Sequence, residues 1–260
     1  MNFVREKLCD LNKKMLGLYG FAALLIIWQL APVFKLVDTQ FISTPAMIID
    51  AAAKIPGDLL IHISTSVQRV LIGYFAAILT AVPLGFLLGG WFPRVNKFLN
   101  PLFQLFGQIN AFSLFPLFIL FFGTKELSKF FIIYWSCIWP ILFMTTLGVK
   151  NVDPLLIKSA KSMGAGNLVI FKDVILPGAA KPIFSGLNVG ASRAFLMIIA
   201  AEMMGSSAGL GWFINNSNQN NVVPRIYVGA VIIAILSYLF SHLIKYIENS
   251  VITWKEDISV

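Results

Sequence analysis

Charged side chains are scarce in this sequence: Asp, Glu, Lys and Arg make up 12% of its 260 residues, while 58% are hydrophobic. An ordinary soluble domain carries roughly a quarter charged residues. There are too few here to cover a water-facing surface, and the mean hydropathy of +0.81 agrees. A soluble enzyme is excluded on this ground. Cysteine is nearly absent. Cys9 lies in a polar segment and Cys137 inside an apolar run, so no disulfide framework is expected. The histidines, His62 and His242, sit in unrelated segments without ligand spacing, and no metal site is expected either. The net charge of +8 is spread over the ends of apolar runs and is not gathered with aromatics on a polar stretch, so nucleic acid is not an expected partner.

What is present is a series of uncharged runs long enough to cross a bilayer core, which takes about 20 residues of helix. Such helices satisfy their own backbone polar groups and need no polar cover. The runs are Leu16 to Phe34, Val70 to Trp91, the stretch between Lys97 and Lys125, Phe130 to Val149, Ile183 to Met204 (interrupted by Arg193 and Glu202), and Ile226 to Ile244. The expected fold class is all-α: a polytopic membrane protein of about six transmembrane helices. The first run is too long for the core of a signal peptide and no clean A-x-A site follows it, so it reads as a retained helix. Ser43-Thr44-Pro45 opens a mildly amphipathic stretch that suits a short interfacial helix, and Gly205 to Pro224 reads as an irregular loop.

The chain divides into residues 1–60 (N-terminal segment, first span and interfacial stretch), a core over 61–250 with a connecting loop at 151–181, and a tail at 251–260. Orientation follows from Lys and Arg. Thirteen of them, including Arg5, Lys13, Lys14, Arg94, Lys97, Lys150, Lys158, Lys161, Lys172 and Lys181, fall on the side of the termini; Lys35, Lys54, Arg69, Lys125, Lys129 and Arg225 fall on the other. The expectation is a cell-membrane protein with both termini and the 151–181 loop in the cytoplasm.

That loop is the most informative segment. Asp153 is placed to cap a helix with Pro154 in its first position. Leu156, Ala160 and Met163 follow at i, i+4 and i+7 as one apolar stripe, with Lys158 and Lys161 off it. Gly164 and Gly166 stop this helix, and Asn167 can cap a second, closed by Leu176-Pro177. An apolar stripe of this kind either rests on headgroups or docks a cytoplasmic partner.

The run Lys158-Ser159-Ala160-Lys161-Ser162-Met163-Gly164-Ala165, with Phe171, Val174, Leu176-Pro177, Pro182 and Gly186-Leu187 after it, resembles the E-A-A-x-x-x-G-A signature of permease subunits of binding-protein-dependent ABC importers. Ser66 to Tyr74, Pro83-Leu84-Gly85, Pro116 to Gly123, Ser192-Arg193-Ala194, Ala201-Glu202-Met203 and Gly209-Leu210-Gly211 resemble the nitrate, sulfonate and bicarbonate branch. Lys158 departs from the family's usual glutamate.

The resemblance implies a type I importer permease that pairs with a second permease copy and works with ATP-binding subunits and an external solute-binding protein. It implies ATPase coupling through Leu156, Lys158, Ser159, Ala160, Met163, Gly164, Ala165, Phe171, Leu176 and Pro177. No G-x-x-x-x-G-K-[ST] phosphate loop is present, so this chain is expected to bind no cofactor, with ATP and Mg held by the partner ATPase. The implied cargo is an oxyanion or sulfonate such as nitrate, taurine or another alkanesulfonate, or bicarbonate, with a vitamin precursor as the alternative. An ion-coupled secondary carrier is the alternative mechanism, although neither paired intramembrane acids nor inverted repeats are evident.

Polar residues within the apolar runs are candidates for the translocation path. Gln104, Gln108, Asn110 and Ser113 are unusually polar for the third run, where Pro116 suggests a break. Asn188 and Ser192 continue a stripe from Ser185 that suits a pore lining or interhelical hydrogen bonds equally. Arg193 either attracts an anion or pairs with a carboxylate or carbonyl group. Glu202, also a candidate, is about half a turn away in azimuth and roughly 13 Å along the same helix, and so is not Arg193's partner. Gly186, Gly190 and Ala194 form a small-residue ridge suited to close helix packing.

Overall fold

Several helix starts among the described residues are set by proline or by oxygen-bearing side chains. In the computed structural model, which describes residues 19–20, 23–24, 26–30, 32 and 42–253, Thr44 Oγ1 accepts from the Met47 N–H at 3.3 Å and Pro45 opens α1 (Pro45–Ala53). The elements that follow are α2 (Pro56–Phe86) with a π-helical turn at Leu87–Trp91, α3 (Pro93–Gln108), α4 (Ala111–Phe122), α5 (Glu126–Lys150), α6 (Pro154–Ser162), α7 (Asn167–Ile170) with a π turn at Phe171–Ile175, α8 (Leu176–Gly205), α9 (Leu210–Gln219) and α10 (Val223–Val251). No strand occurs among the described residues. The first predicted span lies largely outside the described residues.

Among the described residues, four helices are long and apolar enough to cross a membrane: Pro56–Trp91, Glu126–Lys150, Asn167–Gly205 and Val223–Val251. A fifth crossing is available if α3 and α4, bent by 89°, act as one span. The polytopic all-α fold of about six helices stands.

Several boundaries differ from the sequence reading. The second span begins at Pro56 and not at Val70, because Arg69 is neutralised by ion pairs and does not end the helix. The break in the third run falls at Ile109–Asn110 and not at Pro116: Ile109 is extended, and the Asn110 side chain caps α4 by accepting from the Phe112 N–H. Leu176-Pro177 does not close the second loop helix. The helix runs on from Asn167 to Gly205, since the π turn just ahead of Pro177 alters the backbone spacing where the ring would otherwise break an α-helix. Gly166, not Asn167, is the cap residue there. The stretch expected to be an irregular loop holds α9, which starts by burying Leu210.

The described residues form two compact units, one of those up to 60 with 213–231 and the other of 61–212 with those from 232 on. In the first, Gln29 accepts from the Ala46 N–H and the Trp28 and Tyr227 rings lie 6.2 Å apart. In the second, α5 is central, with thirteen buried residues in 25. Glycines permit its contacts. A Cβ on Gly85 would overlap Thr145 at 2.6 Å, and one on Gly186 would meet Met144 at 2.8 Å. Gly186, Gly190 and the fully buried Ala194 thus form the seam of α8 against α5, as the small-residue ridge predicts. Tyr74 of α2 donates from its hydroxyl to the Leu187 carbonyl at 2.9 Å.

Candidate functional site

The loop between α5 and α8 is built from its caps. Asp153 accepts from the Leu155 N–H at 2.8 Å and Pro154 follows at the first helical position. At the other end Gly164 adopts φ +80°, the Gly164 N–H donates to Lys161 O and the Ala165 N–H to Ala160 O, both at 3.0 Å. This is the paired bonding of a Schellman cap. The bend exposes Leu155, Leu156, Met163 and Leu168, the last two more than 80% exposed. Ala160 does not belong to the exposed stripe: it is buried, and Phe171 is half-buried, its ring packing edge-on to Phe86 at 5.1 Å and stacking on Trp91 at 5.8 Å. Lys158, Ser159, Gly164 and Leu176 are exposed; Ala165 and Pro177 are half-buried. Leu155 and Leu168, missed in the sequence, complete the apolar face, for which strict i, i+4, i+7 spacing is too narrow a template.

The bend between α3 and α4 opens a cavity of about 330 Å³, lined by Gln108, Asn110, Trp135, Ser136, Trp139 and Arg193 together with neighbouring apolar residues. No carboxylate lines it. Arg193 is exposed and makes no hydrogen bond or ion pair among the described residues. The indole nitrogens of Trp135 and Trp139 are buried without a partner. Asn110 spends its oxygen on the α4 cap, which leaves its amide N–H group as a donor. The lining thus offers the Gln108 and Asn110 amides as donors and carries one uncompensated positive charge.

Of the eight path candidates, Gln108, Asn110 and Arg193 come together in this cavity, with Ser136, a polar residue the sequence reading did not single out, and with Trp135 and Trp139, which no polar-residue scan would select. Gln104 and Ser113 are exposed elsewhere on α3 and α4. Asn188 lines a separate cavity of about 530 Å³ with Lys181, Ser185, Lys245 and Glu248. Ser192 is exposed and donates to the Asn188 carbonyl within its own helix at 3.2 Å.

Glu202 sits in none of these. It is 1% exposed, accepting from Arg69 at 2.7 Å, from Ser66 Oγ at 2.8 and 2.9 Å and from the Gly211 N–H at 2.9 Å. Arg69 also donates to Ala208 O at 2.8 Å and grips both oxygens of Glu126, at 2.6 and 2.7 Å. Lys129 adds a further contact to Glu126 at 2.9 Å. The turn before α9 fits only because Gly209, at φ +117°, carries no Cβ to overlap the Glu202 carboxyl. The cluster binds α2, α5 and α8 at the start of α5, whereas the 151–181 loop leaves its far end. The 25 residues of α5 separate the two by roughly 37 Å.

Over residues 81–253 the sequence matches the family described as the binding-protein-dependent transport system inner membrane component. The chain belongs to this family. The taurine transport system permease protein TauC of Escherichia coli K12 is 27% identical over 250 residues, covering 94% of this chain and 90% of that one. The nitrate import permease protein NrtB of Synechocystis is 29% identical over 196 residues, covering 74% of this chain and 70% of its own. A chain of the MetNI methionine ABC transporter, solved in inward-facing conformations, superposes with a TM-score of 0.59 at 15% identity, covering 75% of this chain and 95% of the other; that likeness concerns the fold. The permease is thus the membrane subunit of a binding-protein-dependent ABC importer and not an enzyme, and ATP hydrolysis belongs to a partner subunit. In this permease the Glu202–Arg69 cluster unites three of the motif segments, Ser66 to Tyr74, Ala201-Glu202-Met203 and Gly209-Leu210-Gly211.

Proposed function

We propose that the permease carries a small anion, an oxyanion or sulfonate of the nitrate, alkanesulfonate or bicarbonate kind, past Arg193 in the cavity at the α3–α4 bend. The observation that carries this reading is an unpaired guanidinium beside the Gln108 and Asn110 amides, in a cavity lined by no carboxylate. One fixed charge attracts an anion without holding it so tightly that it cannot leave. Taurine and nitrate, named for two of the relatives, both present anionic oxygens to such donors.

The exposed face of Leu155, Leu156, Met163 and Leu168 is the docking surface for the ATPase, on a loop that faces the cytoplasm together with both termini. The Lys and Arg asymmetry supports this orientation. Lys158 stands on this loop in place of an acid, so the ATPase contact there relies on apolar burial around it. A second permease copy completes the path by covering the exposed side of α8 at Lys181, Ser185, Ser192, Arg193 and Leu196. The permease itself holds no cofactor; ATP and Mg reside on the ATPase. In proteoliposomes containing the permease, its ATPase and its binding protein, ATP should drive uptake of nitrate or an alkanesulfonate. Uptake of an uncharged pyrimidine and not of any anion would refute the anion assignment.

A further inference from the structure

Behind α6 lies a second cavity, of about 470 Å³, bounded by the π turn of Trp91, the end of α5 and the inner face of the loop. Its lining from α6 is Pro154, Ile157 and Lys161, at i, i+3 and i+7, whereas Leu155, Leu156 and Met163 are exposed. The space is thus separate from the apolar docking face and from the cavity at Arg193. We propose that it binds the phosphate headgroup of an anionic lipid.

Three observations carry the assignment. Lys150 and Lys161 are the only charged side chains in the lining, and among the described residues neither makes an ion pair or a hydrogen bond. Two uncompensated ammonium groups with the Asn167 amide nearby suit a phosphate ester. The remaining lining is apolar, with Ile157 and Ile170 beside the Trp91–Phe171 stack. A free phosphate ion offers at least as much charge but nothing to cover that surface, whereas the glycerol and first acyl carbons of a lipid would. Finally, Trp91 is 60% exposed at the end of a 36-residue apolar helix, where tryptophan marks the headgroup level of a membrane. The two π turns, Leu87–Trp91 and Phe171–Ile175, carry Trp91 and Phe171 to this wall, and such turns are frequent at functional sites. The inference holds whichever side of the membrane the loop occupies.

Native mass spectrometry of the full-length chain in detergent, titrated with phosphatidylglycerol, phosphatidylcholine or inorganic phosphate, tests it. The wild type should bind one phosphatidylglycerol in preference to phosphatidylcholine, and millimolar phosphate should not displace it. The Lys150→Gln/Lys161→Gln variant should lose that binding roughly thirty-fold, at about 1 kcal/mol per lysine. Lys150→Arg/Lys161→Arg should keep it, with melting temperatures unchanged in both. Equal binding of the two lipids, or undiminished phosphatidylglycerol binding by the glutamine variant, would overturn the site. Displacement by inorganic phosphate would overturn the lipid in favour of the free ion.

Discussion

Glu202→Ala is expected to destabilise the permease by about 3–5 kcal/mol, the range for removing one partner of a buried ion pair. The carboxylate side chain is wholly inaccessible, and its loss leaves the Arg69 Nη1, the Ser66 hydroxyl and the Gly211 N–H facing an empty site. The Ser66 hydroxyl and the Gly211 N–H are buried, so much of the cost is that of abandoned hydrogen bonds. Arg69→Ala should be comparable, since it strands the same carboxylate with uncharged donors and also releases Glu126. In detergent either variant should melt lower by roughly ten degrees or more. The double variant Arg69→Met/Glu202→Leu should recover a good part of that loss, because an apolar pair leaves no charge unpaired. Wild-type melting of both single variants would show that the cluster holds nothing together.

The second large effect is expected at Gly164. At φ +80° a Cβ is unfavourable, and a β-branched side chain more so. Nothing lies within 4 Å of the position a Cβ would take there, so the strain is in the backbone and not in a clash. Gly164→Val should unravel the Schellman bonds to Ala160 and Lys161 and turn Met163 and Leu168 out of a common face. Membrane insertion should be normal, while co-purification with the ATPase and ATP-driven uptake fall at least about tenfold, the equivalent of 1.4 kcal/mol. Gly164→Asn, which tolerates the left-handed region, should retain most of both. Equal behaviour of the valine and asparagine variants would remove the bend from the coupling argument.

Elements defined by local chemistry were legible in the sequence: Asp153-Pro154 and Gly164 bound α6, and Gly186, Gly190 and Ala194 mark the α5–α8 seam. Charge used as a punctuation mark misled, because Arg69 is silenced by partners 57 and 133 positions away. No window over one segment shows such a pairing. The same long-range contact explains Glu202, which reads as a path residue in isolation and is structural once Ser66 and Gly211 surround it. At the Arg193 cavity Gln108, Asn110 and Arg193 were legible and Ser136 was not, while Trp135 and Trp139 look like any core aromatics, and only their unpartnered indole nitrogens distinguish them. The bend at Ile109–Asn110 was hidden for a related reason: Pro116 is the stronger breaker in the sequence, yet α4 carries it internally.

An anion path through this cavity depends on the charge at Arg193. ATP-driven uptake of nitrate or an alkanesulfonate should be measured in proteoliposomes holding the permease with its ATPase and binding protein, for wild type, Arg193→Lys and Arg193→Gln. A hydrogen bond to a charged group contributes about 1.5–3 kcal/mol, so Arg193→Gln should transport roughly ten- to a hundredfold more slowly with assembly intact. Arg193→Lys, which keeps the charge, should retain much of the rate. Undiminished uptake by a fully assembled Arg193→Gln permease would contradict an anion path through this cavity.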